Sequence, residues 1–386
     1  LHEPLTWAEI DLAAYRHNIA ELRRIARPES RFMAVVKANG YGHGSVEVSK
    51  AALQSGADCL GVARLHEAVE LRTAGIESPI LIFGLTPPEA VGTLLDHDLT
   101  QAVFTYESAE ALATEAAAKG KDLRIHIKVD TGMGRLGLLA DEPRAEEATA
   151  SAANHRFREV SGIVELPGLE IEGLFTHFAT ADHGDKSYAL RQLERFSKLV
   201  ENLKQQGIEF PLNHAANSAA LIDMPESHLD MVRPGIATYG LYPSERVDRS
   251  RLKLKPVLEW KARVIQVKEV PAGFGVSYGI TYETPRPTTL ATVAVGYGDG
   301  LSRLLSNRGH MLVAGQRAPI VGRVCMDLTL LDVGEVVGCT VGDEVVILGR
   351  QGEEEITADE MASTLDTINY EIVSTITNRV PRVYLR

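Results

Sequence analysis

Two hydrophobic patterns alternate along the first 243 residues. Runs of about four to eight mostly apolar residues are typical of strands buried on both faces of a parallel sheet. Between these runs, apolar residues recur at helical spacing. From Phe32 to Arg233 the pattern predicts eight strands: the run ending at Lys37, Cys59–Ala63, Pro79–Gly84, Thr100–Phe104, Leu123–Thr131, Leu169–Phe178, Phe210–Asn217 and Leu229–Arg233.

The segments between these strands predict helices. A short strand at Thr6–Asp11 comes first, and Asp11 then caps a helix that begins at Leu12. The pattern is weakest between Ala140 and Ile171. The other helices predicted in this part are Gly44–Gly56, Leu65–Gly75, Pro87–Asp98, Tyr106–Gly120, Pro143–Arg156, Ser187–Gly207 and Ser218–Asp223.

Eight strands in regular alternation with helices indicate an α/β fold, a (β/α)8 barrel of the TIM type, whose usual size is about 250 residues. A doubly wound open sheet is the alternative, although it rarely needs eight strands in so regular an order. In both architectures the carboxyl ends of the strands carry the chemistry, so polar residues at those ends are the first candidates for a functional site.

The pattern changes after Tyr242-Pro243-Ser244. Alternation of apolar and polar residues predicts strands, and only two helices are expected. The sequence therefore predicts a barrel domain at 10–243 and a C-terminal mainly-β domain at 244–386. The strands expected in the second domain are Leu258–Val270, Thr288–Tyr297, Val313–Val324 and Asp343–Leu348, and the helices are Ala358–Leu365 and Asn369–Thr377.

Composition narrows the classes of function. The chain has 386 residues, 45% of them hydrophobic and 24% charged, which is ordinary for a globular protein with a large core. A formal net charge of -12 argues against binding to a nucleic-acid backbone. Three cysteines form neither a disulfide framework nor a metal-ligand pattern. Because no export signal or spanning apolar run is seen, a cytoplasmic protein is expected.

Several polar residues fall at the predicted carboxyl ends of barrel strands. A lysine held near apolar surface loses solvation, so its pKa falls, and its neutral amine can bond to an aldehyde cofactor. The alternatives are a lysine with its head in solvent, structural histidines and an ordinary helix cap. Together, however, the cations, glycine turns and serine predict an anion site. These residues are Lys37, Lys128, Arg135, His177, His214, Asn217, Ser218 and Arg233.

The motifs around these positions resemble those of the alanine racemases, in order and over nearly the whole chain. Ala34–Gly44, with Lys37 inside it, resembles the family's pyridoxal-phosphate attachment motif. The further matching motifs are Val129–Gly137, His214–Ser218, Arg233–Gly235, Val276–Gly279, Gly296–Gly300, Gly322–Asp327 and Thr367–Glu371.

The resemblance implies an architecture and an activity. The family has an N-terminal barrel that holds pyridoxal 5'-phosphate and a C-terminal β domain, which the extreme N-terminus (residues 1–9) joins. Its members form head-to-tail homodimers with shared active sites, and the substrate is a small amino acid. The implied function is the interconversion of L-alanine and D-alanine, which supplies D-alanine for cell-wall peptidoglycan.

The resemblance also implies roles for individual residues. Lys37 would hold the cofactor and act as acid or base on one face of the substrate Cα, and Tyr278 of the second subunit would act on the other. Racemisation needs a proton removed from one face and returned to the opposite one, which two groups can provide. Arg135 and the Met326 amide match the contacts to the substrate carboxylate. The other residues matching the cofactor site are Tyr41, His177, Asn217, Ser218, Arg233, Gly235, Ile236 and Tyr370.

Three of these matches carry a further implication. Arg233 matches the arginine that contacts the pyridine nitrogen, where a permanent cation keeps that nitrogen unprotonated. His177 matches a histidine that assists the catalytic tyrosine. Lys128 matches a lysine that is carbamylated in some members, where the resulting anion braces Arg135. An unmodified Lys128 would repel Arg135, so either carbamylation or a bound anion would relieve the contact.

Other functions of the same fold stay open at this point. A serine or broad-specificity racemase is one alternative, although Tyr297 and Tyr370 would narrow the site toward a small side chain. An amino-acid decarboxylase would place a carboxylate, rather than Arg233, against the ring nitrogen. A non-catalytic cofactor carrier would have no need of Tyr278 or of the whole β domain.

Overall fold

The computed structural model describes residues 4–140 and 159–386, so the helix expected at Pro143–Arg156 lies outside the described residues. The strands are β1 (Thr6–Asp11), β2 (Arg31–Val35), β3 (Cys59–Val62), β4 (Ile80–Ile82), β5 (Thr100–Val103), β6 (Leu123–Asp130), β7 (Leu138–Leu139), β8 (Leu169–Phe175), β9 (Leu212–His214), β10 (Met231–Val232), β11 (Leu258–Val270), β12 (Gly275–Val276), β13 (Tyr282–Glu283), β14 (Thr288–Val293), β15 (His310–Val313), β16 (Gln316–Pro319), β17 (Thr329–Asp332), β18 (Glu344–Gln351), β19 (Glu354–Ile356) and β20 (Arg382–Leu385).

Helices connect most of the early strands, and residues 159–164 are also helical. The α-helices are α1 (Leu12–Ile25), α2 (Lys37–Tyr41), α3 (Ser45–Gln54), α4 (Leu65–Thr73), α5 (Val91–Asp96), α6 (Tyr106–Ala118), α7 (Ser187–Gln205), α8 (Ser218–Asp223), α9 (Ala358–Leu365) and α10 (Asn369–Ser374). Short 3-10 helices lie at Pro88–Ala90, Pro225–Ser227, Ile236–Tyr239, Tyr278–Ile280, Tyr297–Asp299 and Arg303–Leu305.

The chain divides into two compact units. The barrel unit comprises residues 16–38 and 45–255, and the β unit comprises residues 1–15, 39–44 and 256–386. In the structure the units divide after Lys255, whereas the boundary predicted from the sequence lies between residues 243 and 244. Two hydrogen bonds attach residues 244–255 to the barrel unit. Asn18 Nδ2 donates to the Lys255 carbonyl at 2.8 Å, and Tyr242 Oη donates to the Leu252 carbonyl at 2.9 Å.

The barrel unit is built on a parallel sheet in the order β10-β2-β3-β4-β5-β6-β8-β9, with β7 beside β6. The two end strands are linked by backbone hydrogen bonds from Asp230 N to Asn213 O and from Arg233 N to Ala216 O, both 3.0 Å long. The sheet therefore closes, and the predicted TIM-type barrel is confirmed over the open sheet. Its interior is filled by Met33, Cys59, Leu81, Ala102, Phe175 and Met231, one side chain from each of six strands.

The β unit is organised around β11, the longest strand of the described residues. β11 pairs antiparallel with β1, β14 and β18, and β1 pairs in parallel with β20. The predicted mainly-β character is confirmed. A small core of Val270, Val276, Leu290 and Val321 lies beside the β12–β13 hairpin.

Two details of the prediction are wrong. Val313–Val324 is not one strand, because Ala314 and Gly315 take left-handed φ angles of 50° and 73° and close a two-residue hairpin between β15 and β16. Lys37 does not end a strand either: β2 stops at Val35, and Lys37 opens a left-handed turn. In the described ranges, no helix has the length and hydropathy that crossing a bilayer requires.

Candidate active site

Four cationic or titratable side chains meet at the carboxyl end of the barrel unit. Burial lowers the pKa of the Lys37 amine, and the charge of Arg135 lowers it further. Burial also lowers the pKa of Lys128 to about 8, with Arg135 and Arg233 adding to the shift. These positive neighbours would favour an anion at the rim.

The backbone around Lys37 is held in an uncommon conformation. Ala38, Asn39, Gly40 and Tyr41 all have φ between 51° and 61°. Left-handed residues with a Cβ cost roughly 1–2 kcal/mol each, so this turn must be stabilised by its surroundings. The Ala38 amide donates to the Glu67 carboxylate at 2.6 Å, which fixes the start of the turn directly after Lys37.

Glu67 was not among the residues singled out from the sequence. Besides the Ala38 amide, its carboxylate accepts hydrogen bonds from the Ala63 and Arg64 amides at 2.8 and 2.9 Å. It thereby ties the end of β3 to the turn that carries Lys37, and its charge opposes the lowering of the Lys37 pKa. In the sequence, Glu67 looks like an ordinary acid in the first turn of α4.

The loop that carries Arg135 is wrapped around one carboxylate. Asp130 Oδ1 accepts hydrogen bonds from the amides of Gly132, Met133 and Gly134 at 2.8, 2.7 and 3.2 Å, and Oδ2 accepts one from the Arg135 amide at 3.0 Å. Burial raises the pKa of Asp130, but these four bonds outweigh burial and lower it overall. Asp130 therefore positions Arg135 through the backbone.

Replacing Asp130 by alanine should destabilise the protein by about 2–3 kcal/mol, since hydrogen bonds to a charged acceptor are lost. Because the folded-state pKa lies below the unfolded one, this stabilisation is complete above about pH 4 and disappears as the pH falls through the lowered value. Urea unfolding at pH 7 and pH 3 measures both effects. Glu107→Ala, on exposed helix surface, is the control, and equal losses in the two variants would contradict the prediction.

Arg233 is buried, and among the residues that the structure describes its hydrogen-bond partners are neutral groups. Nη1 lies 2.8 Å from His214 Nδ1, and Nη2 lies 2.9 Å from the Thr176 carbonyl, 3.1 Å from the Ala215 carbonyl and 3.3 Å from His177 Nδ1. Burial lowers the pKa of Arg233 to about 9. Burial and then the Arg233 charge push the pKa of His177 well below its ordinary value, so His177 is neutral.

The aromatic ring of Phe175 lies close to two of these cations, Arg233 and Lys128. The ring of His214 stacks on Phe175 with centroids 4.8 Å apart and planes 2° from parallel. Arg233 Cζ and Lys128 Nζ lie 5.4 and 5.8 Å from the centroid of the same Phe175 ring. The face of an aromatic ring attracts cations, so Phe175 stabilises the positive charge of both side chains.

Ser218 joins the last two strand ends of the barrel. Its Oγ accepts hydrogen bonds from the amides of Gly235 and Ala237 at 2.9 and 3.4 Å. Asn217 caps α8 by accepting a hydrogen bond from the Ala220 amide at 3.0 Å, so it is an ordinary helix cap. Because Oγ accepts from both amides, the Ser218 hydroxyl keeps its own proton to donate, which together with the helix start beside it suits an anion such as phosphate.

The remaining predicted residues lie in the β unit. The rings of Tyr41 and Tyr370 are 6.3 Å apart, and burial raises the pKa of Tyr41. Segment 39–44 packs so closely on α10 that a Cβ at Gly42 would lie 2.0 Å from the Val373 carbonyl oxygen. The structure thus brings Tyr41 and Tyr370 together, as the resemblance implies.

Tyr278 stands on a strained and exposed turn of the β unit. Ser277 before it has a φ of 62°, and its Oγ donates to the Arg323 carbonyl at 2.7 Å. Tyr278 is 73% exposed and Met326 53% exposed. Nearby, the Gly298 amide donates to the Met326 carbonyl at 2.8 Å. The β unit therefore presents apolar and phenolic groups to solvent, as surfaces that bind a partner do.

Comparison with known proteins places these features in a family context. The family model "Alanine racemase, N-terminal domain" matches residues 10–243, and "Alanine racemase, C-terminal domain" matches residues 257–384. The chain is 56% identical to an alanine racemase of Desulfosudis oleivorans over 98% of this chain and 96% of the relative. It is 49% identical to one of Desulforamulus reducens, over the full length of both.

Two solved structures extend the comparison. The alanine racemase from Bacillus anthracis with bound L-Ala-P has a TM-score of 0.90 and 38% identity, covering 100% of this chain and 96% of that one. The alanine racemase from Bartonella henselae with covalently bound pyridoxal phosphate has a TM-score of 0.85 and 28% identity, covering 99% and 100%.

Proposed function

The chain belongs to the alanine racemase family, and from that premise we propose that it interconverts L-alanine and D-alanine with pyridoxal 5'-phosphate as its cofactor. The observation that carries this proposal is the amine of Lys37, its pKa lowered by burial, beside the cations Lys128, Arg135 and Arg233. We further propose that the product D-alanine serves peptidoglycan synthesis in the cytoplasm. Loss of optical rotation of L-alanine with purified protein tests the activity, and a constant rotation in the presence of added cofactor would overturn it.

The residues of the barrel rim suit an aldehyde that carries a phosphate. A lowered pKa makes the Lys37 amine available for covalent attachment. The Ser218 hydroxyl accepts hydrogen bonds from the Gly235 and Ala237 amides and keeps its own proton to donate to the phosphate, and the Ile236 amide lies between those two amides in sequence. Tyr41 and Tyr370 are the further phosphate ligands that we propose. When bound, the cofactor supplies an electron sink that acidifies the Cα proton of an amino acid.

Proton transfer then falls to two side chains. We assign Lys37 Nζ to one face of the substrate Cα and the phenol of Tyr278, from a second subunit, to the other. Burial and the charge of Arg233 lower the pKa of His177, so we propose that it assists the phenol as a neutral hydrogen-bond partner and not as a base. Arg135, held by Asp130, and the Met326 amide would bind the substrate carboxylate and orient the Cα proton.

Arg233 would tune the cofactor ring. A buried guanidinium keeps its proton and has only donors, so a pyridine nitrogen facing it stays unprotonated. The ring is then a weaker electron sink, which favours simple proton exchange over transamination.

An Arg233→Glu change should slow racemisation about 100-fold and raise the formation of pyruvate by transamination, because a carboxylate favours a protonated ring nitrogen. Racemisation and pyruvate are measured on the same sample. Arg246→Glu, on exposed surface, controls for the change of charge. Unchanged racemisation without pyruvate would show that Arg233 does not tune the ring.

Lys128 is proposed to be carbamylated. Its pKa of about 8 leaves a substantial neutral fraction near pH 8, and the neutral amine adds to carbon dioxide with loss of one proton. The resulting anion would pair with Arg135. Protein equilibrated with 13C-labelled carbon dioxide should show one carbamate resonance that is lost in Lys128→Ala and kept in Lys50→Ala. Absence of the resonance at saturating carbon dioxide would contradict this assignment.

A serine or broad-specificity racemase is the second candidate. Tyr297 and Tyr370 favour a small substrate, and the ratio of rates for alanine and serine measures their effect. Tyr297→Ala should lower that ratio if this side chain limits the size of the substrate.

A further inference from the structure

A line of polar side chains crosses the interior of the barrel unit, from mid-strand positions to the catalytic rim. His126 on β6 lies with its Nδ1 2.8 Å from His214 Nε2, and His214 Nδ1 lies 2.8 Å from Arg233 Nη1. At the far end, His126 Nε2 lies 3.8 Å from Glu172 Oε2. His126, His214 and Arg233 are buried, whereas Glu172 is partly exposed.

The chemistry of Arg233 gives this line a direction. A guanidinium has only donors, so His214 Nδ1 must accept, and the single proton of the neutral ring sits on Nε2. His214 Nε2–H then donates to His126 Nδ1, which leaves the proton of His126 on Nε2. That N–H faces Glu172. Burial lowers the pKa of both histidines, which agrees with two neutral rings.

Glu172 is held as an acceptor at the end of the line. Thr100 Oγ1 donates to its Oε2 at 3.0 Å, and Arg124 Nη1 lies 3.7 Å from its Oε1. Burial raises the pKa of Glu172, but the contacts to His126 and Thr100 outweigh burial and lower it. At 3.8 Å the carboxylate is too far from His126 Nε2 for a hydrogen bond, but its negative charge attracts the Nε2–H and so favours the proton on that nitrogen.

Gly173 on β8 leaves space for the imidazole of His126. Gly173 pairs with His126 across β6 and β8. A Cβ at Gly173 would lie 2.7 Å from His126 Nδ1 and 2.9 Å from the Leu212 carbonyl oxygen. Any side chain there would displace the imidazole, so the glycine is needed for space rather than for an unusual backbone angle.

We propose that Glu172 is a positioning residue for Arg233, acting through the fixed ring protons of His126 and His214. The carboxylate orients the first imidazole, the first orients the second, and the second offers a lone pair to the guanidinium. This rests on the proposed function, in which Arg233 faces the cofactor ring. Without the carboxylate, only the donors of Arg233 keep the line in this direction, so the His126 ring is held less firmly and the lone pair that His214 offers to Arg233 is less well placed.

Histidine ring protons in the purified wild-type protein test the direction of the line. Nitrogen-15 NMR of histidine-labelled protein, assigned with His126→Gln and His214→Gln variants, should show both rings neutral and protonated on Nε2. A ring protonated on Nδ1, or on both nitrogens, would overturn the proposal. This readout does not depend on turnover, so it stays decisive even if the protein fails to racemise alanine and the proposed function falls.

Variants at position 172 test the effect on Arg233. Glu172→Leu removes the carboxylate and should shift the ring-proton signals of His126 and raise pyruvate formed per racemisation about tenfold, with KM for alanine changed less than about twofold. Glu172→Gln keeps an acceptor oxygen and should restore the wild-type ring protons and ratio. Glu170→Leu, two residues earlier on β8 and exposed, is the matched control.

Three results would overturn the role of Glu172. The first is a change of ring protons in Glu172→Leu with no change in the pyruvate ratio, because the line would then not act on Arg233. The second is a Gln variant that behaves like the Leu variant. The third is the same change of ratio in Glu170→Leu. Thermal unfolding of each variant shows whether the barrel is intact. The measurement of ring protons in the wild-type protein does not depend on whether the variants at position 172 fold.

Discussion

Replacing Lys37 by alanine should lower the rate of alanine racemisation by about 10⁴-fold or more, the largest single loss expected for this chain. The side chain has two tasks in the proposed mechanism, since it holds the cofactor and moves a proton at the Cα. Both depend on its amine, whose pKa is lowered by burial and by Arg135. Polarimetry with L-alanine measures the rate.

Two further measurements test whether Lys37 is the residue that performs these tasks. Borohydride treatment followed by peptide mapping should place the pyridoxyl group on Lys37, whereas label on Lys128, or none at all, would refute the assignment. Lys50→Ala is the matched control, because Lys50 is exposed and pairs with Glu47 at 2.9 Å. A Lys37→Ala protein that still racemises alanine at the Lys50→Ala rate would show that another group carries the reaction.

The sequence predicts the barrel because its signals are local. Each buried strand needs an uninterrupted apolar run, and α8 and α9 have the predicted bounds because Asn217 and Thr357 cap them. Strand β11 also has its predicted bounds, since its alternation spans thirteen residues. By contrast, the pattern of Val313–Val324 predicts one strand, but Ala314 and Gly315 have left-handed φ angles and reverse the direction of the chain there.

Some residues of the candidate site can be found from local sequence motifs, and others cannot. Lys37, Arg135, Ser218 and Arg233 follow barrel strands and lie within sequence motifs that mark them. Glu172 and His126 carry no such mark: on β8, Glu170 and Glu172 look alike in the sequence, and only the pairing of β6 with β8 places one of them against an imidazole. Contacts between strands far apart in the chain are therefore the part that local patterns miss.

The second large effect concerns the proposed dimer. If Lys37 of one subunit and Tyr278 of another serve opposite faces of one substrate, a two-fold contact creates two such sites. Tyr278 is 73% exposed and stands near other exposed apolar groups of the β unit, so a second copy has a surface to cover. Each of the variants Lys37→Ala and Tyr278→Ala should be nearly inactive by itself.

Mixing these two inactive variants should restore activity. A mixed dimer would have one site with both lesions and one intact site, so random exchange of subunits gives roughly a quarter of the wild-type rate if each site acts alone. Two different tags on the variants verify that mixed dimers form. The matched control mixes Lys37→Ala with the double variant Lys37→Ala/Tyr278→Ala, which forms dimers without any intact site. If tagged mixed dimers of the first pair form and no activity returns, Tyr278 acts within its own subunit or is not the second proton-transfer group.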